Sequence, residues 1–80
     1  MAKALTVLVV DDEPPIRRFL RTSLAASGYR IVEAEDAAGA LRSLATEKPD
    51  LVILDLGLPD KSGLELIGEI RRTSTVSALR

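Results

Sequence analysis

The stretch LVILDLGLPDKSG, residues 51–63, decides how this chain is read. Leu51, Val52, Ile53 and Leu54 run without alternation into Asp55, and Gly57, Pro59 and Gly63 then interrupt regular structure. A short continuous apolar run bounded by turn formers fits a strand covered on both faces. Ending such a run on a carboxylate is costly unless the charge is paired or ligated, because an ion withdrawn from water loses its hydration. The rest of the chain has to supply the partner.

Upstream, TVLVV at residues 6–10 has the same character and ends on Asp11, Asp12 and Glu13. Pro14 and Pro15 stand where a helix would begin, and a missing N–H is tolerated in a first turn. Ile16, Phe19, Leu20, Ser23, Leu24 and Ser27 then follow helical spacing. Arg17, Arg18 and Arg21 fall outside that stripe, and Gly28 is a natural stop. YRIVEA, residues 29–34, alternates enough for a strand with one wetter face. Asp36 suits the N-cap of a second helix with Ala37, Leu41, Leu44 and Ala45 on its apolar side, ended by Lys48, Pro49 and Asp50. LVIL is the third strand. Ser62 can cap a third helix that carries Leu66, Ile67 and Ile70 inward and is weakened by Gly68. The closing TSTVSALR, residues 73–80, shows no clear element.

This β-α-β-α-β-α order predicts parallel strands joined by right-handed crossovers. In such sheets ligands bind beyond the C-terminal strand ends, where the strand order reverses. With the strands in the order 2-1-3, Asp11, Asp12 and Asp55 share one crevice. Three like charges repel there, and a divalent cation removes that cost. Carboxylate oxygens in a chain without histidine or cysteine favour Mg2+, or Mn2+ in its place, over zinc or copper. A carboxylate beside such a cation, with a phosphoryl group on the same metal, is placed for nucleophilic attack and an aspartyl-phosphate. An aspartate after a strand is often only a turn former or helix cap, and that reading is preferred for Asp60 alone. Three carboxylates at two strand ends that the topology brings together favour the site.

Composition narrows the classes. The 80 residues suggest one domain, with 46% hydrophobic and 29% charged residues in a globular balance. A formal net charge of −1 gives no footprint for nucleic acid or an acidic membrane. The absence of cysteine excludes disulfides and thiol chemistry, and the absence of histidine removes the usual general base. No apolar run reaches spanning length and no signal-peptide pattern opens the chain, so a soluble, cytoplasmic location is expected.

VLVVDDEPPIRRFL at residues 7–20 and KPDLVILDLGLPDKSG at residues 48–63, in this β-α order, resemble the response-regulator receiver domain of two-component signalling. IRRFLRT and LDLGLPD carry a finer resemblance to the Kdp-type potassium-operon branch of the winged-helix transcription regulators. The resemblance covers residues 4–73 and implies a CheY-like, flavodoxin-like α/β fold. It makes Asp55 the phosphoacceptor, taking a phosphoryl group from a phosphohistidine on a sensor histidine kinase. It makes Asp12 the direct Mg2+ ligand, Asp11 an acidic neighbour acting mostly through water, and Gly57 the donor of a backbone carbonyl to the metal. Pro59 and Gly63 match the turn that shapes the loop. Such a module is not an enzyme beyond slow self-phosphorylation and dephosphorylation, and its parent controls transcription.

Receivers continue with two more strands and two more helices, and with a switch Ser or Thr and a Lys that contact the phosphoryl oxygens. The expectation is therefore that residues 1–80 form a partial receiver of three strands and three helices, with no switch Ser, Thr or Lys, no output domain and impaired phosphorylation. Ser77 reads as a loop or tail residue and Lys61 as solvated, while Lys3 and Lys48 lie at the wrong end of the sheet. Arg17, Arg18 and Arg21 read as a solvated helix face, with kinase docking as the minority reading. The free edge of the third strand predicts a homo-oligomer. Two alternatives are a self-associating structural fragment and a Mg2+-dependent phosphohydrolase. Haloacid-dehalogenase-like enzymes place a second aspartate two residues after the nucleophile, where this chain has Gly57, and that argues against the hydrolase.

Overall fold

In the computed structural model, residues 4–55, 57–73 and 77–79 are described. The expected alternation is present as β1 (Thr6–Val10), α1 (Pro14–Ala26), β2 (Arg30–Ala34), α2 (Ala37–Glu47), β3 (Leu51–Leu54) and α3 (Gly63–Thr73). The strands are parallel and β1 is flanked by β2 and β3, so the order 2-1-3 holds. Each helix starts and stops where local chemistry dictates. Pro14 and Pro15 occupy the first two positions of α1. At its other end the Gly28 N–H bonds the Ala25 carbonyl and the Tyr29 N–H bonds the Leu24 carbonyl, with Gly28 at φ 93°. Glycine adopts that left-handed conformation without a Cβ penalty. Asp36 caps α2 through Gly39 N, and Ser62 caps α3 through Glu65 N.

The sequence predicted no element after α3, but Ser77–Leu79 forms a fourth strand, β4, paired in parallel with Leu51, Val52 and Ile53. Strand pairing is made by backbone groups, so three residues suffice without the apolar run that marked the other strands. The edge of β3 on which the expected homo-oligomer depended is therefore occupied over three of its four residues, and that contact loses its premise.

The two sheet faces are unequally covered. Leu8, Val10, Val52 and Leu54 point to one face, where Ala37 and Ala40 of α2 and Leu66 and Ile70 of α3 close a fully buried core with Leu58. Leu41, Leu44 and Ile67 pack at its margin, as their spacing predicted. Ala45, predicted to face inward, is exposed and Ala40 takes that place. The helix is turned so that its small residues meet the sheet. On the opposite face α1 buries none of its residues. Leu20 and Leu24 are half-buried, whereas Ile16 and Phe19 of the predicted stripe are 42% and 67% exposed.

At the N-terminal end of the sheet, Thr6 and Asp50 form a reciprocal pair. The Thr6 N–H donates to Asp50 Oδ2 at 2.8 Å, and the Asp50 N–H donates to the Thr6 carbonyl at 2.8 Å. Thr6 is buried, so this carboxylate satisfies a backbone donor that would otherwise be lost from water. Lys48, in the left-handed region at φ 47°, ends α2 near this same end of the sheet, and Lys3 lies outside the described residues.

Candidate functional site

Two residues carry the strand ladders one step past the ends of the strands. The Asp11 N–H bonds the Ala34 carbonyl of β2 at 3.1 Å, and the Asp55 N–H bonds the Val10 carbonyl of β1 at 2.9 Å. Both aspartates are thus latched to the sheet by their backbones before their side chains are considered. The strand order then does what the sequence argument required. Asp11, Asp12 and Asp55 each offer a carboxylate oxygen, and these oxygens lie within 4.8 Å of one another. Asp11 and Asp55 are half-buried, and Asp12 is exposed.

Each latched carboxylate has one oxygen fixed by the turn that follows it. Asp11 Oδ1 accepts from Glu13 N at 2.9 Å, and Asp55 Oδ1 accepts from Gly57 N at 3.0 Å. These two-residue loops hold the side chains at the strand ends and turn the chain away. Among the described residues an added Cβ at Gly57 would meet only Asp55 Oδ1, at an ordinary 3.6 Å. Pro59 is exposed in the loop, while Gly63 is the buried first residue of α3. An open cleft of about 290 Å³ runs beside the carboxylates, between Ile16 and Leu20 of α1 and Ile53 of β3, and reaches Asp11 and Asp55.

The structure also assigns partners that the sequence left out. Asp60 is a helix cap, as preferred, but for a distant helix. It accepts from Ala37 N at 2.8 Å and Ala38 N at 3.1 Å. With Gly39 N held by Asp36, the unpaired donors of the first turn of α2 are satisfied from two directions. No local signal marks this, since the partners lie 23 and 22 residues apart. Lys61, read as solvated, instead forms an ion pair with Glu69 of α3, and that hydrogen bond raises its pKa above the ordinary lysine value. Arg17 and Arg21, read as a solvated face, both reach Glu33 of β2, at 3.4 and 3.0 Å.

The bond to the Ala37 N–H is the main cause holding the Asp60 carboxyl below its ordinary value of 3.8. A depressed folded-state pKa gives stability that is present above the unfolded value and lost as pH falls through the folded one. Urea denaturation of the parent and of Asp60→Asn should therefore differ at neutral pH and converge below pH 4. A difference that persists unchanged in acid would contradict the assignment.

A family model for the response regulator receiver domain matches residues 7–79. The chain is 53% identical over 73 residues to the KDP operon transcriptional regulatory protein KdpE of Escherichia coli, covering 91% of this chain and 32% of that protein. It is 55% identical over 65 residues to the transcriptional regulatory protein KdpE of Mycobacterium tuberculosis, covering 81% and 29%. Among solved structures it superposes on response regulator TrrA of Thermotoga maritima in complex with Mg(2+)-BeF, with a TM-score of 0.83 and 33% identity over 95% of this chain and 86% of that one. A complex of histidine kinase ThkA with TrrA gives a TM-score of 0.84 and 43% identity, covering 92% of this chain and 66% of the matched one. The chain belongs to the response-regulator receiver family, as a receiver domain of a two-component system. Within that family its similarity is to the Kdp-type regulators, of whose length it spans about a third. Among the described residues no helix is long and apolar enough to cross a membrane.

Proposed function

We propose that Asp55 is the phosphoacceptor of this chain and that Asp11 and Asp12 hold a divalent cation with it, Mg2+ or Mn2+. The observation that supports this best is the approach of three carboxylate oxygens, from two parallel strand ends, to within 4.8 Å. The donor set fits the ion, since it is all oxygen with three carboxylates, and it lacks the nitrogen and sulfur that softer metals select. When bound, the cation would neutralise charge on a phosphoryl group brought to Asp55. The chain's own residues bind and orient. The Asp55 backbone is fixed on β1, and the Gly57 N–H fixes the rotation of its carboxylate. An Asp55 oxygen attacks phosphorus, and the bond from phosphorus to the donor breaks with its electron pair leaving on the donor. That donor is a phosphohistidine of a sensor histidine kinase, the class of partner seen with TrrA. Gly57 contributes its carbonyl to the cation, and Pro59 and Gly63 shape the loop between. The chain is a phosphoacceptor rather than an enzyme, works in the cytoplasm, and passes its state to transcription in the longer protein.

The test is a Mg2+ titration followed by amide NMR shifts. The parent chain should respond at Asp12, Glu13 and Asp55, and Asp12→Ala should lose that response while keeping a folded spectrum. Unchanged binding in Asp12→Ala rejects the site.

A further inference from the structure

Arg17 stands in an odd place for a cation. It lies at the start of α1, four residues after the N-cap Glu13, and the first turn carries no acidic residue. A positive charge near a helix N-terminus is mildly unfavourable to the helix. Nor is Arg17 a free surface group, because its side chain is 15% exposed against 51% for Arg21. Its guanidinium has two fixed ends. Nη1 donates to the Asp11 carbonyl at 2.7 Å, and Nε faces Glu33 Oε1 at 3.4 Å. Glu33 lies on β2 in register with Val9 of β1, so the anchor belongs to the sheet. The planar guanidinium fork transmits that anchor to the carbonyl in a way a flexible ammonium does not.

The bonded carbonyl belongs to the peptide that joins Asp11 to Asp12. That unit is planar, so holding its oxygen holds the plane containing the Asp12 nitrogen and Cα. The Asp11 N–H is already tied to Ala34, and Asp11 Oδ1 to Glu13 N. Arg17 supplies the remaining restraint, and it acts on the link to the exposed carboxylate of the trio. We propose that Arg17, anchored by Glu33, is a positioning residue for the cation site, fixing the Asp11–Asp12 peptide so that Asp12 is presented beside Asp11 and Asp55. This rests on the cation reading given above.

Positioning and plain electrostatics predict opposite signs. If Arg17 acted only as a nearby positive charge, its removal would relieve repulsion and tighten cation binding. If it positions Asp12, removal weakens binding, and losing an outer partner of a metal ligand weakens affinity by on the order of tenfold. The experiment titrates Mg2+ into the parent chain, Arg17→Ala, Arg17→Lys and Glu33→Gln, following amide shifts and thermal stability in parallel. We expect a roughly tenfold weaker affinity in Arg17→Ala. Arg17→Lys should recover little of it despite keeping the charge, and Glu33→Gln should show a smaller loss. The Asp12 and Glu13 amides of metal-free Arg17→Ala should already be displaced. Affinity equal to or tighter than the parent in Arg17→Ala, or full recovery in Arg17→Lys, overturns the proposal while leaving the cation site standing. Should Arg17→Ala fail to fold, parental affinity in both Arg17→Lys and Glu33→Gln overturns it equally. Absence of Mg2+ binding in the parent removes the cation reading itself, and this inference with it.

Discussion

If Asp55 is the phosphoacceptor, Asp55→Asn is expected to abolish any covalent adduct that acetyl phosphate and Mg2+ form on this chain, read as the mass of one phosphoryl group on the intact protein. The exchange is nearly isosteric. The amide oxygen of asparagine can still accept from Gly57 N, where Asp55 Oδ1 now accepts at 3.0 Å, and the backbone bond to Val10 is untouched. The loop should keep its shape. What disappears is the anionic oxygen that attacks phosphorus, and no graded loss is expected from a missing nucleophile. The other carboxylates offer no replacement reaction, since Asp11 and Asp12 are assigned to the cation. An adduct that survives the exchange, or that forms equally well without Mg2+, would falsify the assignment of Asp55.

Leu8→Ala should be the most damaging single change to the fold. Leu8 is fully buried on β1, an interior strand, with Val32 and Val52 as its neighbours in register on either side. Truncating such a residue removes its transfer free energy and leaves a cavity, at about 2–5 kcal/mol. A chain of this length has a total stability of about 4–12 kcal/mol, taking the usual range per residue. The variant should therefore show a clearly lowered urea midpoint, and at the upper end of that cost it should unfold without denaturant. Phe19→Ala is the control. That ring is larger but 67% exposed, and its removal should stay within about 0.5 kcal/mol. Equal losses at the two positions would mean that the core is not where the structure puts it.

The contrast between Leu8 and Phe19 also separates what the sequence reveals from what it hides. Strand runs such as LVIL and helix ends such as Gly28 are local signals, and they appear where expected. The meeting of Asp11, Asp12 and Asp55 followed from those signals plus one rule about parallel sheets. Phe19 misled because periodicity locates a face of a helix and says nothing about how much lies opposite it. Ala40 and Ala45 differ only in how α2 is turned on the sheet, which neighbouring side chains decide. β4 escaped because its pairing is made by backbone groups, for which SAL carries no strong mark. Asp60 and Arg17 escaped for another reason: one acts on a helix more than twenty residues away, and the other on a carbonyl that every residue possesses.

The unequal covering of the sheet has a consequence for how the molecule comes apart. Proteins open in cooperative units, and the first to leave are those with the least apolar anchorage. Among the helices α1 is that unit, since it buries no residue, whereas α2 and α3 are bound into the core through Ala37, Ala40, Leu66 and Ile70. The lift-off of α1 would carry Arg17 from the Asp11 carbonyl and unclasp the acidic turn, while β1 remained in the sheet. A cation held by that turn would thus favour the docked helix. By reciprocity, any partner that gripped α1 in its docked state would sharpen the grip on the cation. The thinnest layer of the fold is in this way the layer through which the site could be reached from outside.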